Sequence, residues 1–177
     1  MFRKKTNAEL GRLSVEQFRE ADKAPLTLVL DNVRSQHNIG SAFRTCDAFR
    51  IGRICLCGIS ATPPTPEIHK AALGAEFSVD WEHFDTGLDA VRQLREEGYV
   101  IVSVEQADNA TLLQDFRPES GKRYALVFGN EVKGVAQEVV DASDLCLEIP
   151  QYGTKHSLNV SVSIGIVLWN IILNNLK

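Results

Sequence analysis

The sequence predicts a single α/β domain, in which a parallel sheet is covered by helices on both faces. Segments of strand length alternate with segments of helical spacing along the chain, which is typical of parallel α/β folds. Each strand segment is apolar throughout, as expected for strands that are buried on both faces. A chain of 177 residues, of which 44% are hydrophobic, is long enough to bury such a core.

The first half of the chain contains an N-terminal helical extension, residues 1–24, and the start of a main domain, residues 25–177. Residues 7–22 form one or two short helices, because residues 14–17 fit a capping box. Apolar runs predict strands at 26–30 and 54–57, and a third strand follows at 77–81. The intervening helices are predicted at 40–49, after a polar loop, and at 67–73, after a loop rich in proline and threonine.

The second half continues the alternation to the C-terminus. Residues 86–97 have helical spacing through Leu88, Val91 and Leu94, and Gly98 stands at the expected C-terminal stop. Strands are predicted at Tyr99–Val104, 124–128 and 145–149, with a helix at 135–142. The last helix opens near Ser157 and runs through the apolar C-terminal segment as far as residue 176.

The composition excludes several classes of protein. The net charge of −4 argues against a protein that coats nucleic acid through its overall field, but it says little about a local basic patch. Residues 158–173 contain too many polar side chains for a membrane span, and the basic N-terminus lacks the apolar core of a signal peptide. We interpret the cysteines as reduced core residues of a cytoplasmic protein without a metal site. These cysteines are Cys46, Cys55, Cys57 and Cys146.

In proteins with a parallel sheet, ligands bind beyond the carboxyl ends of the strands. Three polar loops of this sequence lie at such positions. The loops cover residues 31–40, 129–134 and 150–157. In the first loop, a helix that begins near Gly40 places Arg44 one turn in, above Asn38. An amide and a guanidinium that converge at a helix N-terminus suit a phosphate or a ribose. The alternative is a capped surface helix with a solvated arginine.

The glycines of the second loop bring backbone amides close to a ligand, although neither the dinucleotide fingerprint nor a P-loop is present. The alternative is a tight strand-to-helix turn with Glu131 in solvent. The third loop follows Pro150 and ends at Ser157, a candidate N-cap. Polar side chains at Ser157, Asn159 and Ser161 open an otherwise apolar helix, which indicates a site; the alternative is a capped core helix.

Together the three loops resemble motifs 1, 2 and 3 of the SpoU/TrmH family, which are RNA ribose 2′-O-methyltransferases of the SPOUT superfamily. The resemblance extends from about residue 26 to the C-terminus, and the combination of three motifs is specific where each alone is weak. The matching residues are Asn38, Gly40 and Arg44 in motif 1; Gly129, Asn130, Glu131 and Gly134 in motif 2; and Pro150, Gly153, Ser157, Leu158, Asn159 and Ser161 in motif 3.

The resemblance implies a deep trefoil knot at the C-terminus and S-adenosylmethionine as cofactor, without a metal. By position, the implied cofactor-binding residues are Val102, Ser103, Val104, Phe128, Gly129, Ile149, Gln151, Gly153, Leu158 and Asn159. Relatives often carry methionine at the position of Gln151, so we expect cofactor affinity to be tuned there. The flat apolar end of a strand beside glycines also suits an adenine ring.

The implied reaction transfers a methyl group to a ribose 2′-hydroxyl. The resemblance implies catalytic roles for Arg44, Asn38, Glu131, Ser157 and Asn159. The family role of Arg44 is that of the base. Because arginine has a very high pKa, the alternative is that Arg44 orients the hydroxyl and holds the neighbouring phosphate. The family also implies a homodimer, with Arg44 facing the partner's cofactor. The small residues Ser157, Ser161 and Gly165 lie on one stripe, which supports a dimer but could also pack within the monomer.

The favoured substrate is tRNA, because the chain resembles the compact tRNA-modifying members of the family. The alternatives are an rRNA 2′-O-methyltransferase, an inactive RNA-binding protein with the same fold, and an unrelated doubly wound nucleotide-binding protein or hydrolase. Basic residues either surround the site or are scattered solvated charges. They are Arg3, Lys4, Lys5, Arg12, Arg34, Arg50 and Arg53.

Overall fold

A seven-stranded sheet forms the centre of the molecule in the computed structural model, which describes residues 1–175. The strands are β1 (Ala24–Asp31), β2 (Ile51–Cys57), β3 (Asp80–Phe84), β4 (Tyr99–Val104), β5 (Thr111–Leu112), β6 (Arg123–Phe128) and β7 (Leu145–Glu148). Their order is β3-β2-β1-β6-β4-β7-β5, and every neighbouring pair is parallel. The predicted α/β class with a parallel sheet is therefore confirmed.

Within residues 1–175, six α-helices and three 3-10 turns precede, connect or follow the strands. The helices are α1 (Val15–Glu20), α2 (Gln36–Ala48), α3 (Pro66–Ala72), α4 (Gly87–Glu96), α5 (Gln137–Asp141) and α6 (Val160–Asn175). The 3-10 turns are Ala8–Leu10, Ala75–Phe77 and Leu113–Asp115. The predicted capping box begins α1, since the Ser14 hydroxyl accepts from the backbone of Gln17 and the Gln17 side chain accepts from the backbone of Ser14. No helix of the described chain is both long and apolar enough to cross a bilayer.

The helices cover both faces of the sheet and divide the core into two clusters. On one face, α2, α3 and α6 bury side chains such as Phe43, Ile68 and Leu168. On the other face, α4 and α5 bury Leu94 and Val139 against the sheet. The cysteines are free, and burial raises the pKa of Cys55 to about 11. Burial therefore favours the protonated thiol.

The structure corrects the sequence prediction at α2, β3, β5 and α6, and it shifts several other element ends by one to three residues. Helix α2 starts at Gln36, not near Gly40, because the Ser35 hydroxyl caps the helix by accepting from the Asn38 backbone at 3.2 Å. The third strand is Asp80–Phe84, not residues 77–81, since it is an edge strand with mostly exposed polar side chains. Strand β5 was missed because it contains two residues. Helix α6 starts at Val160, so Ser157 is not its N-cap; its predicted extension to residue 176 lies outside the described residues.

Strand order brings the three predicted loops together. β1, β6, β4 and β7 are consecutive in the sheet. Their carboxyl ends lie level, because Leu30 pairs with Phe128, and Val104 pairs with Leu147. The loops after β1, β6 and β7 therefore meet at one edge, and the end of β4 lies between two of them.

Candidate active site at the carboxyl edge of the sheet

A carboxylate from the second loop binds the N-terminus of α2. Glu131 accepts hydrogen bonds from the backbone N–H groups of Arg34 and Ser35, both at 2.9 Å. Its Oε1 atom also accepts from the Asn38 side-chain amide at 3.0 Å. A negative charge at this position satisfies the orphan amides that precede α2 and complements the helix dipole. Glu131 is therefore a structural link between the first and second loops, and does not simply point into solvent.

The third loop joins the same network through Asn159. Its amide donates to Asn38 Oδ1 at 3.2 Å, and its Oδ1 atom accepts from the backbone N–H of Ser161 at 2.9 Å and of Val162 at 3.4 Å. Asn159 is thus the N-cap of α6, the role that the sequence suggested for Ser157. The contacts Glu131–Asn38–Asn159 connect the three motifs. The Asn159 amide donates to Asn38, and the Asn38 amide donates in turn to Glu131, so each contact fixes the orientation of the next side chain.

The second loop has the shape of a tight turn. Asn130 and Gly134 exchange two backbone hydrogen bonds, at 3.0 and 2.9 Å. The Asn130 side chain accepts from the backbone of Val132 and Lys133, and donates to the Asn32 carbonyl at 2.8 Å. These contacts hold the loop against the end of β1, so it enters the site as a preformed unit.

A cavity of about 540 Å³ lies beside this network, between the ends of β4, β6 and β7. Its volume falls within the range of about 300–1,000 Å³ that small-ligand pockets occupy. Predicted site residues that line it are Val104, Phe128, Gly129, Glu131, Ile149, Gln151, Ser157, Leu158 and Asn159. Apolar side chains, glycine backbone and a few polar groups thus meet in one space, which suits a flat ligand with polar edges.

Other predicted residues lie elsewhere. Val102 and Ser103 are fully buried inside the sheet, and the Ser103 hydroxyl pairs with Ser143 at 2.7 Å, so neither lines the cavity. Gly153 is exposed in the loop before α6 and does not line the cavity. Asn38 is 6% exposed and reaches the site only through Glu131 and Asn159.

Arg44 does not converge with Asn38 as the sequence predicted. The two residues are six positions apart in one helix, and at about 100° per residue their side chains point about 120° apart. Arg44 is exposed, and within residues 1–175 its guanidinium makes no hydrogen bond or ion pair. The predicted convergence depended on a helix start near Gly40, whereas α2 begins four residues earlier.

Two cavity residues that directly follow β4 were not among the predicted site residues. Glu105 and Gln106 line the cavity, and Glu105 Oε2 accepts from the backbone of Val135 at 2.9 Å. Gln106 donates to the carbonyl of His156 at 2.6 Å and so ties the third loop to the end of β4. The rule that ligands bind beyond strand ends selects this fourth position as well. It was overlooked because the segment contains no glycine.

The network lowers the pKa of Glu131. Partial burial alone would raise this pKa, but hydrogen bonds from the backbone of Arg34 and Ser35, from its own backbone and from Asn38 outweigh burial. A carboxylate with a lowered pKa stabilises the fold above its unfolded pKa near 4.5, and loses that contribution as pH falls through the folded pKa. Acid should therefore loosen the junction between the three loops.

We expect the Glu131→Gln variant to show a weaker dependence of stability on acid than the wild type. The amide of the variant carries no charge that titrates, so only the wild type loses stability as the pH falls below the unfolded pKa near 4.5 and through the lower pKa of the folded state. Urea unfolding at several pH values measures this difference. Glu138→Gln on α5 is the matched control, since Glu138 is exposed. Parallel acid profiles for the wild type and Glu131→Gln would show that Glu131 does not carry this stability.

Comparison with known proteins identifies the family. Residues 25–169 match the model of the SpoU rRNA Methylase family. The chain is 32% identical over 149 residues to a 23S rRNA (guanosine-2′-O-)-methyltransferase of Neisseria meningitidis, covering 81% of this chain and 56% of that protein. It is 30% identical over 170 residues to a tRNA (guanosine(18)-2′-O)-methyltransferase of Thermus thermophilus, covering 96% of this chain and 85% of that protein.

A solved structure supports the same assignment. The AdoMet-bound rRNA methyltransferase from Sinorhizobium meliloti superimposes with a TM-score of 0.79 at 28% identity, over 88% of this chain and 59% of that one. The chain therefore spans little more than half the length of two of these three relatives. The match to this fold implies the C-terminal trefoil knot that the resemblance predicted. The chain belongs to the SpoU rRNA methylase family.

Proposed function

We propose that this protein transfers a methyl group from S-adenosylmethionine to a ribose 2′-hydroxyl of RNA. The observation that carries the proposal is the Glu131–Asn38–Asn159 network, which joins the three family motifs beside a cavity of ligand size. The relatives' activities on tRNA and rRNA support the same class of reaction.

The cavity fits the cofactor in size and in chemistry. Phe128 and Leu158 offer apolar surface, Gly129 exposes backbone, and Gln106 and Gln151 provide polar groups at the edge. A purine ring needs such a slot with backbone partners, and an amino-acid tail needs polar groups. S-adenosylmethionine, when bound, supplies a methyl group that the sulfonium already activates. These residues would therefore hold the cofactor.

The protein's own part of the reaction is to position a weak nucleophile. A neutral hydroxyl must be oriented and must lose its proton during transfer. We propose that Arg44 binds the phosphate next to the target ribose and orients the 2′-hydroxyl, while Ser157 lies at the cavity wall. Asn38, Glu131 and Asn159 fix the start of α2 and α6, and thereby the position of these groups.

We favour tRNA over rRNA as the substrate. The alignment with the tRNA enzyme of T. thermophilus extends over 96% of this chain, against 81% for the rRNA enzyme of N. meningitidis. The identities, 30% and 32%, are nearly equal, so rRNA is the second candidate. The free, mostly buried cysteines support a reducing cytoplasm as the place of action.

Incubation with methyl-labelled S-adenosylmethionine tests the function. Separate pools of tRNA and rRNA transcripts, which carry no earlier methylation, should show label in tRNA. Alkaline hydrolysis then locates the methyl group, because a 2′-O-methyl ribose blocks cleavage of its phosphodiester and leaves an alkali-resistant dinucleotide. Label in rRNA alone would contradict the tRNA assignment. Label in neither pool would favour an inactive RNA-binding protein.

We further propose that the protein is a homodimer that uses the outer face of α6. Val162, Ile166, Trp169 and Leu173 repeat at helical spacing and are 49%, 38%, 55% and 45% exposed. Gly165 lies between them, and a Cβ atom at Gly165 would have nothing within 4 Å. This small residue therefore leaves room for a neighbouring chain and does not pack within the monomer. Such an apolar stripe is typical of a protein interface.

The Ile166→Asp variant should run as a monomer where the wild type is a dimer. A carboxylate at the centre of an apolar interface stays unpaired and opposes association, while it costs little in the monomer, where Ile166 is partly exposed. Light scattering coupled to gel filtration measures the mass. Ile59→Asp is the matched control, since Ile59 is 63% exposed in the loop after β2. A wild type that is already monomeric would refute the dimer.

A further inference from the structure

A second cavity, the proline groove, lies beside the N-terminal half of α2. Three of its wall residues are prolines, Pro63, Pro64 and Pro66, and a fourth is Phe77, which is 56% exposed. The lining is completed by Thr65, Ile68, His69 and Glu76, and the cavity measures about 390 Å³. Its walls are thus mostly apolar, and Glu76 is the one acidic residue among them.

Glu76 has an incomplete set of hydrogen bonds. Its side chain is 3% exposed, and its Oε1 atom pairs with Nδ1 of His69. Its Oε2 atom is buried and has no hydrogen-bond partner within the described part of the chain. An unpaired buried carboxylate oxygen is costly and uncommon in native proteins. Such an oxygen can be retained because a ligand N–H satisfies it.

The side chain over this carboxylate can move. His69 is 62% exposed, and its ring stands 6.1 Å from that of Phe77, at a tilt of 55°. Because the imidazole is exposed, it can turn about its side-chain torsions towards solvent, where water replaces its pairing with Glu76 Oε1. Rotation of this ring opens Glu76 to the groove, so a donor between the aromatic ring and the prolines can reach the carboxylate.

The groove is joined to the candidate active site. The Thr65 hydroxyl donates to the side chain of Gln36, the first residue of α2, at 2.8 Å. Gly40 of α2 packs directly on α3, since a Cβ atom there would lie 2.5 Å from the Ile68 carbonyl oxygen. The groove therefore borders α3, which packs against the helix that carries Asn38 and Arg44, so a single RNA strand can contact both the groove and the site.

We propose that the proline groove binds one nucleobase of the substrate RNA, next to the nucleotide that is methylated. This inference rests on the proposed RNA substrate. The base stacks on Phe77 and the prolines, and an exocyclic amino group donates to Glu76. Aromatic side chains and carboxylate acceptors are common partners of unstacked RNA bases. A backbone phosphate is excluded because the carboxylate repels it. Cytosine, adenine and guanine carry the required amino group, and uracil does not.

Binding of short fluorescent homopolymers of cytidine and uridine to the full chain tests the proposal by anisotropy. The wild type should prefer oligocytidylate. Phe77→Ala should weaken binding of both probes by roughly 5- to 100-fold through lost stacking. Glu76→Gln should remove the preference, because its amide can donate to the uracil O4 atom as well as accept. Trp81→Ala is the matched control, an exposed aromatic residue on edge strand β3.

The possible results distinguish a failure of the proposed base-binding groove from a failure of the proposed methyltransferase activity. Equal binding by the wild type and Phe77→Ala, or a cytidine preference that survives in Glu76→Gln, overturns the groove, even if the wild type methylates RNA. Conversely, a wild type that methylates neither RNA pool but shows the groove-dependent preference refutes the proposed reaction and supports the groove. Circular dichroism of each variant shows that the fold is intact.

Discussion

The Arg44→Ala variant should lose methyl transfer by about 100-fold or more and still bind S-adenosylmethionine with unchanged affinity. Arg44 is exposed on α2, and its guanidinium makes no hydrogen bond or ion pair within residues 1–175. The fold therefore does not need this side chain, and its loss removes only a contact with substrate. Single-turnover transfer of labelled methyl measures the first quantity, and titration calorimetry measures the second.

The controls for Arg44 separate charge from geometry. Arg44→Lys keeps the charge but loses the planar fork that binds a phosphate, so its activity should lie between those of the wild type and Arg44→Ala. Arg92→Ala removes an exposed arginine from α4, on the opposite face of the sheet, and should transfer methyl normally. If Arg44→Ala loses cofactor affinity and transfer to the same extent, Arg44 has a structural role.

The position of Arg44 also supports the proposed homodimer. Its side chain points about 120° away from Asn38, and it does not line the cavity of its own chain. In a symmetric dimer through α6, which packs beside α2, the partner's cavity can lie opposite Arg44 instead. The exposed stripe of α6 and the orientation of Arg44 are independent features of the monomer, and both are explained by the same dimer.

Much of the site could be predicted from the sequence because its chemistry follows the strands. Glu131 follows the end of an apolar strand segment, so the rule for carboxyl ends placed it at a site. Asn159 was selected because it is a polar residue at the start of the apolar helix that follows the third loop. The contacts between them could not be predicted, since they depend on strand order. β6 lies between β1 and β4 in the sheet although four strands separate β1 from β6 along the chain, and no local pattern encodes that insertion.

The errors have a common physical origin in polar segments. The first turn of α2 contains Gln36, His37 and Asn38, which show no apolar periodicity, so only the Ser35 cap marks the helix start. Strand β3 is an edge strand whose side chains are mostly exposed, and an apolar pattern could not reveal it. From the sequence, Glu76 is indistinguishable from an ordinary surface carboxylate. Only the packing of α3 against the Ala75–Phe77 turn shows that it is buried.

The Gly129→Ala variant should lose cofactor binding and fold with lower stability. A Cβ atom at residue 129 would lie 2.1 Å from the Gly134 carbonyl carbon and 2.1 Å from the Val135 nitrogen. Both are backbone atoms, so no side chain can turn aside, and the loop itself must open. The exchange of hydrogen bonds between Asn130 and Gly134, and the bond from Val135 to Glu105, would break as it does so. We expect a loss of about 1–3 kcal/mol in unfolding free energy, as for other overpacked sites.

Gly153→Ala distinguishes this packing clash from a general need for glycine near the cavity. Nothing lies within 4 Å of a Cβ atom at residue 153, so the variant should unfold like the wild type. Alanine also keeps the backbone amide, so cofactor binding measured by calorimetry should persist even if that amide contacts the ligand. If Gly129→Ala binds the cofactor as tightly as Gly153→Ala does, the loop of residues 129–134 cannot be a wall of the cofactor site. The catalytic roles assigned to the three loops would then need another cavity.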